Sequence, residues 1–353
     1  MSRTSRRFLI LFAVIALAIA GYIAFWFSAI GAAREGFERM VAAERAAGHR
    51  FDYVSVAWGG FPIRLAADIK GLAYSAPGIE FEADAFRAEV LPWKPTHALV
   101  RADGHVRLAL RRASRTEWVE FRPEAALASV KSNRAGVLLE ADLELRTVRA
   151  DGTWIDGTDF SFNAGRLQFD GRSTTRAADQ APSAAAVAGD AWQLAFSADA
   201  LTISDGFAPL LGPRIQSVRA AIWAKSLPAF SRGVTAVDIG GLVRLMRESA
   251  TVLEVARLDF DWGGVAAKSF GTIGLDAALR PEGHLEFKVT GISRLIEGLV
   301  KAGVLTAPPG GMPPLPEVPG GAPITLTLKD GVAAFGPFSF GALAPLAAGA
   351  APD

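Results

Sequence analysis

Apolar positions follow three successive patterns along the chain. From Phe8 to Ala33 they are almost continuous, with Ser28 the sole aliphatic hydroxyl. From Ala32 to Ala47 they recur at helical spacing, with Phe37, Met40 and Val41 set among Ala, Glu and Arg, and Gly48 is placed to end the helix. From Phe51 onward the period becomes two: Val106, Leu108 and Leu110 alternate with His105, Arg107 and Arg111, and Ile324, Leu326 and Leu328 alternate with Thr325, Thr327 and Lys329. Alternation of this kind predicts strands with one wet face.

The first segment is long enough to cross a bilayer, because about 20 residues at ~1.5 Å each span the hydrocarbon core. Arg3, Arg6 and Arg7 precede it, whereas Arg34, Glu35, Glu38 and Arg39 balance in charge just after it. An excess of basic residues marks the cytoplasmic flank. The expectation is a single-pass inner-membrane protein of a Gram-negative bacterium, with a cytoplasmic amino terminus and a periplasmic carboxy-terminal domain. A cleaved signal peptide competes, since Ala18-Ile19-Ala20 is a small-x-small site. Against it, the apolar run continues through Tyr22, Phe25, Trp26 and Phe27, aromatic residues suited to a membrane interface.

Turn chemistry predicts antiparallel hairpins. Asp-Gly occurs at residues 103–104, 151–152, 156–157, 170–171, 205–206 and 330–331, and this dipeptide suits the two positive φ angles of a type I′ turn. Helices are predicted near 239–252 and 292–305. In the second, Ile292, Leu295, Ile296, Leu299 and Val300 make an apolar stripe. Such a stripe is ordinarily core packing; membrane or ligand contact is the alternative. The expected fold is mainly β: one transmembrane helix, then a large antiparallel curved sheet or open barrel with a few helices.

Two low-complexity stretches divide the chain. Residues 173–189, rich in Ala, Ser and Thr, read as a flexible linker. Residues 306–322 carry six prolines among glycines and read as an extended connector. The expected layout is a cytoplasmic tail (1–7), a spanning helix (8–33), a helical stalk or first packed helix (34–50), a first β-rich half (51–172), the linker, and a second β-rich half (190–353). An internal echo suggests related halves: Val54, Val56 and Trp58 precede Gly59-Gly60, as Leu258, Phe260 and Trp262 precede Gly263-Gly264. Chance likeness between two strands ending in Gly-Gly is the alternative.

Composition narrows the chemistry. Lys and Arg number 37 against 36 Asp and Glu, so no bulk charge draws nucleic acid. The absence of cysteine removes disulfides, thiolate nucleophiles and Cys-based metal sites. No Gly-x-Ser-x-Gly elbow, Walker-type loop or dinucleotide fingerprint occurs. His49, His97, His105 and His284 are dispersed, and Glu140, Asp142 and Glu144 share a strand face that Arg146 continues, which reads as solvated. The arginines between Arg101 and Arg122 suit either lipid phosphates or the polar face of a hairpin. Trp58, Trp93, Trp118, Trp154, Trp192, Trp223 and Trp262 suit either an apolar groove or a core. No catalytic residue, metal ligand or cofactor is nominated.

Taken with the anchor, the segment Val56-Ala57-Trp58-Gly59-Gly60-Phe61-Pro62-Ile63-Arg64-Leu65 and the close at Asp330-Gly331 and Gly336-Pro337 resemble a bacterial family of anchored envelope proteins, domain of unknown function 2125. The resemblance runs along nearly the whole chain. Trp58, Gly59, Gly60, Phe61, Pro62, Asp330, Gly331, Gly336 and Pro337 are its signature residues, read as structural. More distantly, an anchor followed by long antiparallel strands looks like AsmA-type envelope proteins, which are associated with lipid transport. These likenesses imply non-enzymatic binding or transfer of a lipid or another envelope component by a curved sheet. A protein-interaction scaffold is the alternative, and an envelope hydrolase a third. The expected partners are the membrane, through the helix, and a lipid or another envelope protein.

Overall fold

The computed structural model describes residues 3–112, 115–153, 159–174, 191–204, 208–227, 239–301, 318–335 and 338–346. Its first element, α1 (Arg3–Ala46), is a single 44-residue helix. The apolar run and the amphipathic segment after it therefore form one rod, long and apolar enough to cross a membrane.

After the helix come the strands β1 (Arg50–Asp52), β2 (Ser55–Gly59), β3 (Leu65–Ala76), β4 (Ile79–Leu91), β5 (Lys94–Arg112), β6 (Arg115–Ser132), β7 (Leu138–Thr153), β8 (Asp159–Ser173), β9 (Ala191–Ile203) and β10 (Arg214–Lys225). The short α2 (Ala208–Leu211) lies between β9 and β10. Next in the chain are α3 (Ile239–Glu248), β11 (Val252–Trp262), β12 (Val265–Leu275), β13 (Pro281–Thr290), α4 (Ile292–Lys301), β14 (Ala322–Lys329), β15 (Val332–Phe335) and β16 (Phe338–Ala342). All sixteen strands join one open, antiparallel, curved sheet in chain order, with β1 and β2 sharing the outer edge of β3. β8 pairs directly with β9, so the strands on either side of the low-complexity stretch belong to the same sheet. Residues 175–190 of that stretch, and 302–317 of the proline-rich one, lie outside the described residues.

The sheet is amphipathic, but not by unbroken alternation. Buried positions fall three apart, not two, at Ile69 and Leu72 in β3, Leu145 and Val148 in β7, and Ala164 and Leu167 in β8. A residue with positive φ lies between them at Gly71 (φ 59°) and Thr147 (φ 45°), and Ala200 (φ 52°) takes the corresponding place in β9. Pairing sets Thr147, Gly165 and Ala200 side by side. Such a residue reverses the facing of the strand beyond it, so both apolar stretches of each strand reach the same side. Residues from both sides of this seam, including Ala126, Leu145, Val148 and Ala164, form one buried cluster. Left-handed backbone costs an L residue about 1–2 kcal/mol, which the shared core offsets.

Helices cover part of this inner face. Ile292, Leu295 and Ile296 of α4 pack on Val265, Ala267 and Val289, so the predicted stripe is core. α3 brings Leu242 and Met246 over Trp192 and Ala224. α3 ends at Glu248, short of 252, because Ser249 Oγ caps the Leu245 carbonyl (2.6 Å) and Ala250 takes φ 49° before β11 begins.

Asp-Gly proves less specific than expected. Among the described residues only Asp330-Gly331 (φ 53° and 76°) makes a two-residue hairpin turn. The pairs at 103–104, 151–152 and 170–171 lie inside β5, β7 and β8, while 156–157 and 205–206 fall outside the described residues. At Gly104 the backbone instead makes a bulge, where Asp84 Oδ2 accepts the His105 N–H (2.9 Å).

Candidate functional site: an apolar trough and an aromatic clasp

Two rows of inner-face residues run across β6 to β10. One is Ala128, Leu143, Phe169, Phe196 and Ala220; the next, nearer the strand ends, is Val130, Ala141, Gly171, Leu194 and Ile222. All ten are apolar or glycine because each sits on the inner phase of its strand. They floor a trough of about 460 Å³, within the ~300–1,000 Å³ range of small-molecule sites. The Phe169 and Phe196 rings meet at 4.8 Å. Phe169 remains 44% exposed and Leu194 38%, so among the described residues no element covers the trough as α3 and α4 cover the inner face elsewhere.

The outer face carries a second groove of about 470 Å³, in which the exposed Leu99 and Leu127 lie among the charged Arg64, Arg87, Glu89, Asp142, Glu144 and Asp170. Arg87 bonds both oxygens of Asp68 at 3.0 Å and also Glu89, which Arg64 bonds too. Burial pushes the Glu89 carboxyl up, but those arginines outweigh it and hold it below its ordinary value. Lys131 (2.7 Å) and then Arg172 lower Glu140, against the opposing effect of burial. Asp142 is raised, by burial first and then by Glu140 and the facing Asp170. The carboxylates that share a face in sequence thus sit in a ladder of ion pairs, with Asp142 the one disfavoured as an anion.

Of the signature residues, Trp58, Gly59, Gly60, Phe61 and Pro62 lie at the first edge of the sheet, and Asp330 and Gly331 in the β14–β15 turn near the other. Trp58 packs on Phe37 of α1 (5.9 Å between centroids), and Phe37 also meets Phe51 and Tyr53. Gly60 has φ 99°, and a Cβ there would come within 2.5 Å of the Arg64 carbonyl oxygen, so the turn requires glycine. Phe61 stacks edge-on against Trp26 (5.3 Å), Trp26 Nε1 donates to the Arg64 carbonyl (3.0 Å), and the Tyr22 hydroxyl donates to the Pro62 carbonyl. The element is therefore a clasp on α1 as well as a bend. Farther along α1, Glu44 accepts from the Tyr74 hydroxyl (3.1 Å) and pairs with His49 Nδ1 (2.8 Å). Burial, with Glu44 beside it, pushes Tyr74 up to about 12.

The other Trp-Gly-Gly makes a different structure. Gly263 and Gly264 (φ 58° and 82°) form the two-residue turn between β11 and β12, at the opposite strand ends from Gly60, and Trp262 Nε1 donates to the Gly212 carbonyl (2.7 Å). Gly336 and Pro337 lie outside the described residues, as does Trp154.

None of the six of these tryptophans that lie among the described residues lines the trough: Trp192 is buried under α3, Trp93 is exposed at a turn, and Trp118 lies under Arg107 (5.4 Å). The Arg101–Arg122 cluster resolves partly into pairs, Arg101 with Asp103 and Arg122 with Glu120 and Asp151. His97 meets Ser129 and His105 faces Glu120, and among the described residues no group of three potential ligands gathers to hold a metal. Sequence reasoning missed the trough residues themselves. The phase shift in strands such as β7, where Leu143 and Leu145 give way to Val148 and Ala150, was the available sign of the seam that shapes the inner face.

No curated protein matches the chain. No solved structure matches it either. A family model described as an uncharacterized protein conserved in bacteria (DUF2125) matches residues 26–344, from the clasp residue Trp26 through the last hairpin, and the chain belongs to that family.

Proposed function

We propose that this is a single-pass envelope protein whose trough holds the acyl part of a lipid, binding without catalysis. The observation that carries the reading is the pair of apolar rows on β6 to β10, uncovered among the described residues, in a chain whose first helix is suited to span a bilayer. Water is a poor solvent for such a surface, and an acyl chain removes it from water without needing a polar partner. The groups on the outer face support binding over hydrolysis, since Glu89, Glu140 and Glu144 are engaged by Arg or Lys. The flanking charges favour a cytoplasmic amino terminus at the inner membrane, with the sheet in the periplasm.

The test is photocrosslinking of the full-length protein in vesicles containing a phospholipid with a diazirine on its acyl chain. Crosslinks at Phe169, Leu194 or Ile222 are expected, and Phe169→Glu is expected to abolish them. Crosslinks confined to α1 would overturn the reading and favour a scaffold that pairs through the open sheet edges.

A further inference from the structure

We infer that the loop of residues 60–64 is a membrane contact, in which Phe61 and Ile63 enter the interface of the bilayer that α1 spans. The inference rests on α1 being the anchor, and adds that the sheet is seated on the bilayer surface by its first edge.

Counting about 20 residues from Phe8 places the far end of a ~30 Å hydrocarbon span near Phe27. Tyr22 and Trp26 lie just inside that end, and they are the residues whose side chains donate to the carbonyls of Pro62 and Arg64. The loop is thereby held level with the edge of the hydrocarbon. Trp26 is only 4% exposed because the loop covers it, while Phe25 and Phe27 beside it are 49% and 61% exposed. On the loop, Phe61 is 52% and Ile63 57% exposed. Helix and loop thus present one apolar band at the same level. Trp93, 55% exposed in the turn between β4 and β5, lies at the same strand ends as the loop. Tryptophan is enriched at this depth in membrane proteins. Arg64 bonds Glu89, which keeps the loop's one charge in a pair.

The placement has a consequence for the trough. Leu65 comes directly after the loop, and pairing from it runs through Val90, Ala98, Val130, Ala141, Gly171 and Leu194 to Ile222. The row that begins at the membrane-seated edge is the row that forms the outer floor of the trough. The clasp aligns the two.

The chain has no cysteine, so single cysteines can be labelled cleanly. Ile63→Cys, Leu17→Cys in the anchor and Phe270→Cys on the outer face are each coupled to an environment-sensitive nitrobenzoxadiazole dye. The full-length protein is placed in phosphatidylcholine and phosphatidylglycerol vesicles, with or without lipid bearing a nitroxide at acyl carbon 5. The expected result is a blue-shifted emission at 63, lost largely on adding nitroxide lipid, with 17 quenched as well and 270 unaffected. Quenching at 17 without quenching at 63 overturns the membrane contact while leaving the anchor intact. Failure to quench at 17 overturns the anchor itself, and with it this inference. Trp93→Cys repeats the test at the neighbouring turn should the substitution at 63 prevent folding, with quenching supporting the seating of this edge and its absence opposing it.

Discussion

The inner face of the sheet is largely apolar among the described residues, yet two parts of it are finished differently. Over β12 and β13, α4 lays Ile292, Leu295 and Ile296 on Val265, Ala267 and Val289, and the contact surface is nearly dry. Over β6 to β10 the same kind of surface is left with Phe169, Leu194 and Val130 more than a third exposed. The strands obey the same alternation in both places. The difference is that α4 folds back over the first part, whereas α3, which follows β10, packs beside the two rows on Trp192 and Ala224 and leaves the rows themselves open among the described residues. Coverage makes the first part a source of stability, and its lack makes the second a place where something else can bind.

Substitutions on the two parts should separate these roles. Ile296→Ala removes a buried side chain from the covered part and should cost about 2–5 kcal/mol, read from urea denaturation of the full chain. A cost near zero would mean that α4 contributes little to the fold. Ser269 lies on the same covered face, 3% exposed, and its hydroxyl has no hydrogen-bond partner among the described residues. Ser269→Ala should therefore stabilise by about 1 kcal/mol, visible as a raised thermal midpoint. Phe169→Ala, in the trough, should cost about 1 kcal/mol or less because the ring is already half in solvent. The same change should sharply lower acyl-chain crosslinking, and a large loss of stability with intact crosslinking would reverse the comparison.

The smallest effects belong to the outer face, and they depend on pH in opposite senses. Glu140 is held low, so its stabilisation is present above the ordinary carboxylate range and disappears as pH falls through its lowered value. Glu140→Gln should slightly lower the thermal midpoint at pH 7 and change nothing in strong acid. Asp142 is held high, so it favours folding when protonated and loses that favour as pH rises through its raised value. Asp142→Asn should slightly raise the midpoint at pH 7, with the gain vanishing on acidification. Parallel pH profiles for the two variants would contradict the ion-pair ladder.

Much of the architecture was legible in particular residues. The run from Phe8, the stripe from Ile292 to Val300 and the alternation at Ile324 to Leu328 each lie in the expected element. Asp-Gly misled at residues 103, 151 and 170, because a strand can absorb a glycine as a bulge or a close contact as readily as a turn can use one. The two Trp-Gly-Gly elements looked equivalent for the same reason. Their backbones differ, with positive φ at Gly60 alone in one and at both Gly263 and Gly264 in the other, and the first is held as a clasp on α1 while the second closes a hairpin.

What the sequence determined by itself is local: the length and apolarity of the first helix, the strand period, the stripe of α4 and the Asp330-Gly331 turn. Each depends on residues within a few positions of one another, whose spacing sets which side of a helix or strand they occupy. The tertiary structure decided the rest. The phase reversal at Thr147 and Ala200 matters only because pairing sets those positions side by side across the sheet. Likewise the trough exists because residues from 128 to 222, on five strands, come into register in two rows. Register is a cooperative property of neighbouring strands, fixed by burial across the whole sheet and not by any one segment.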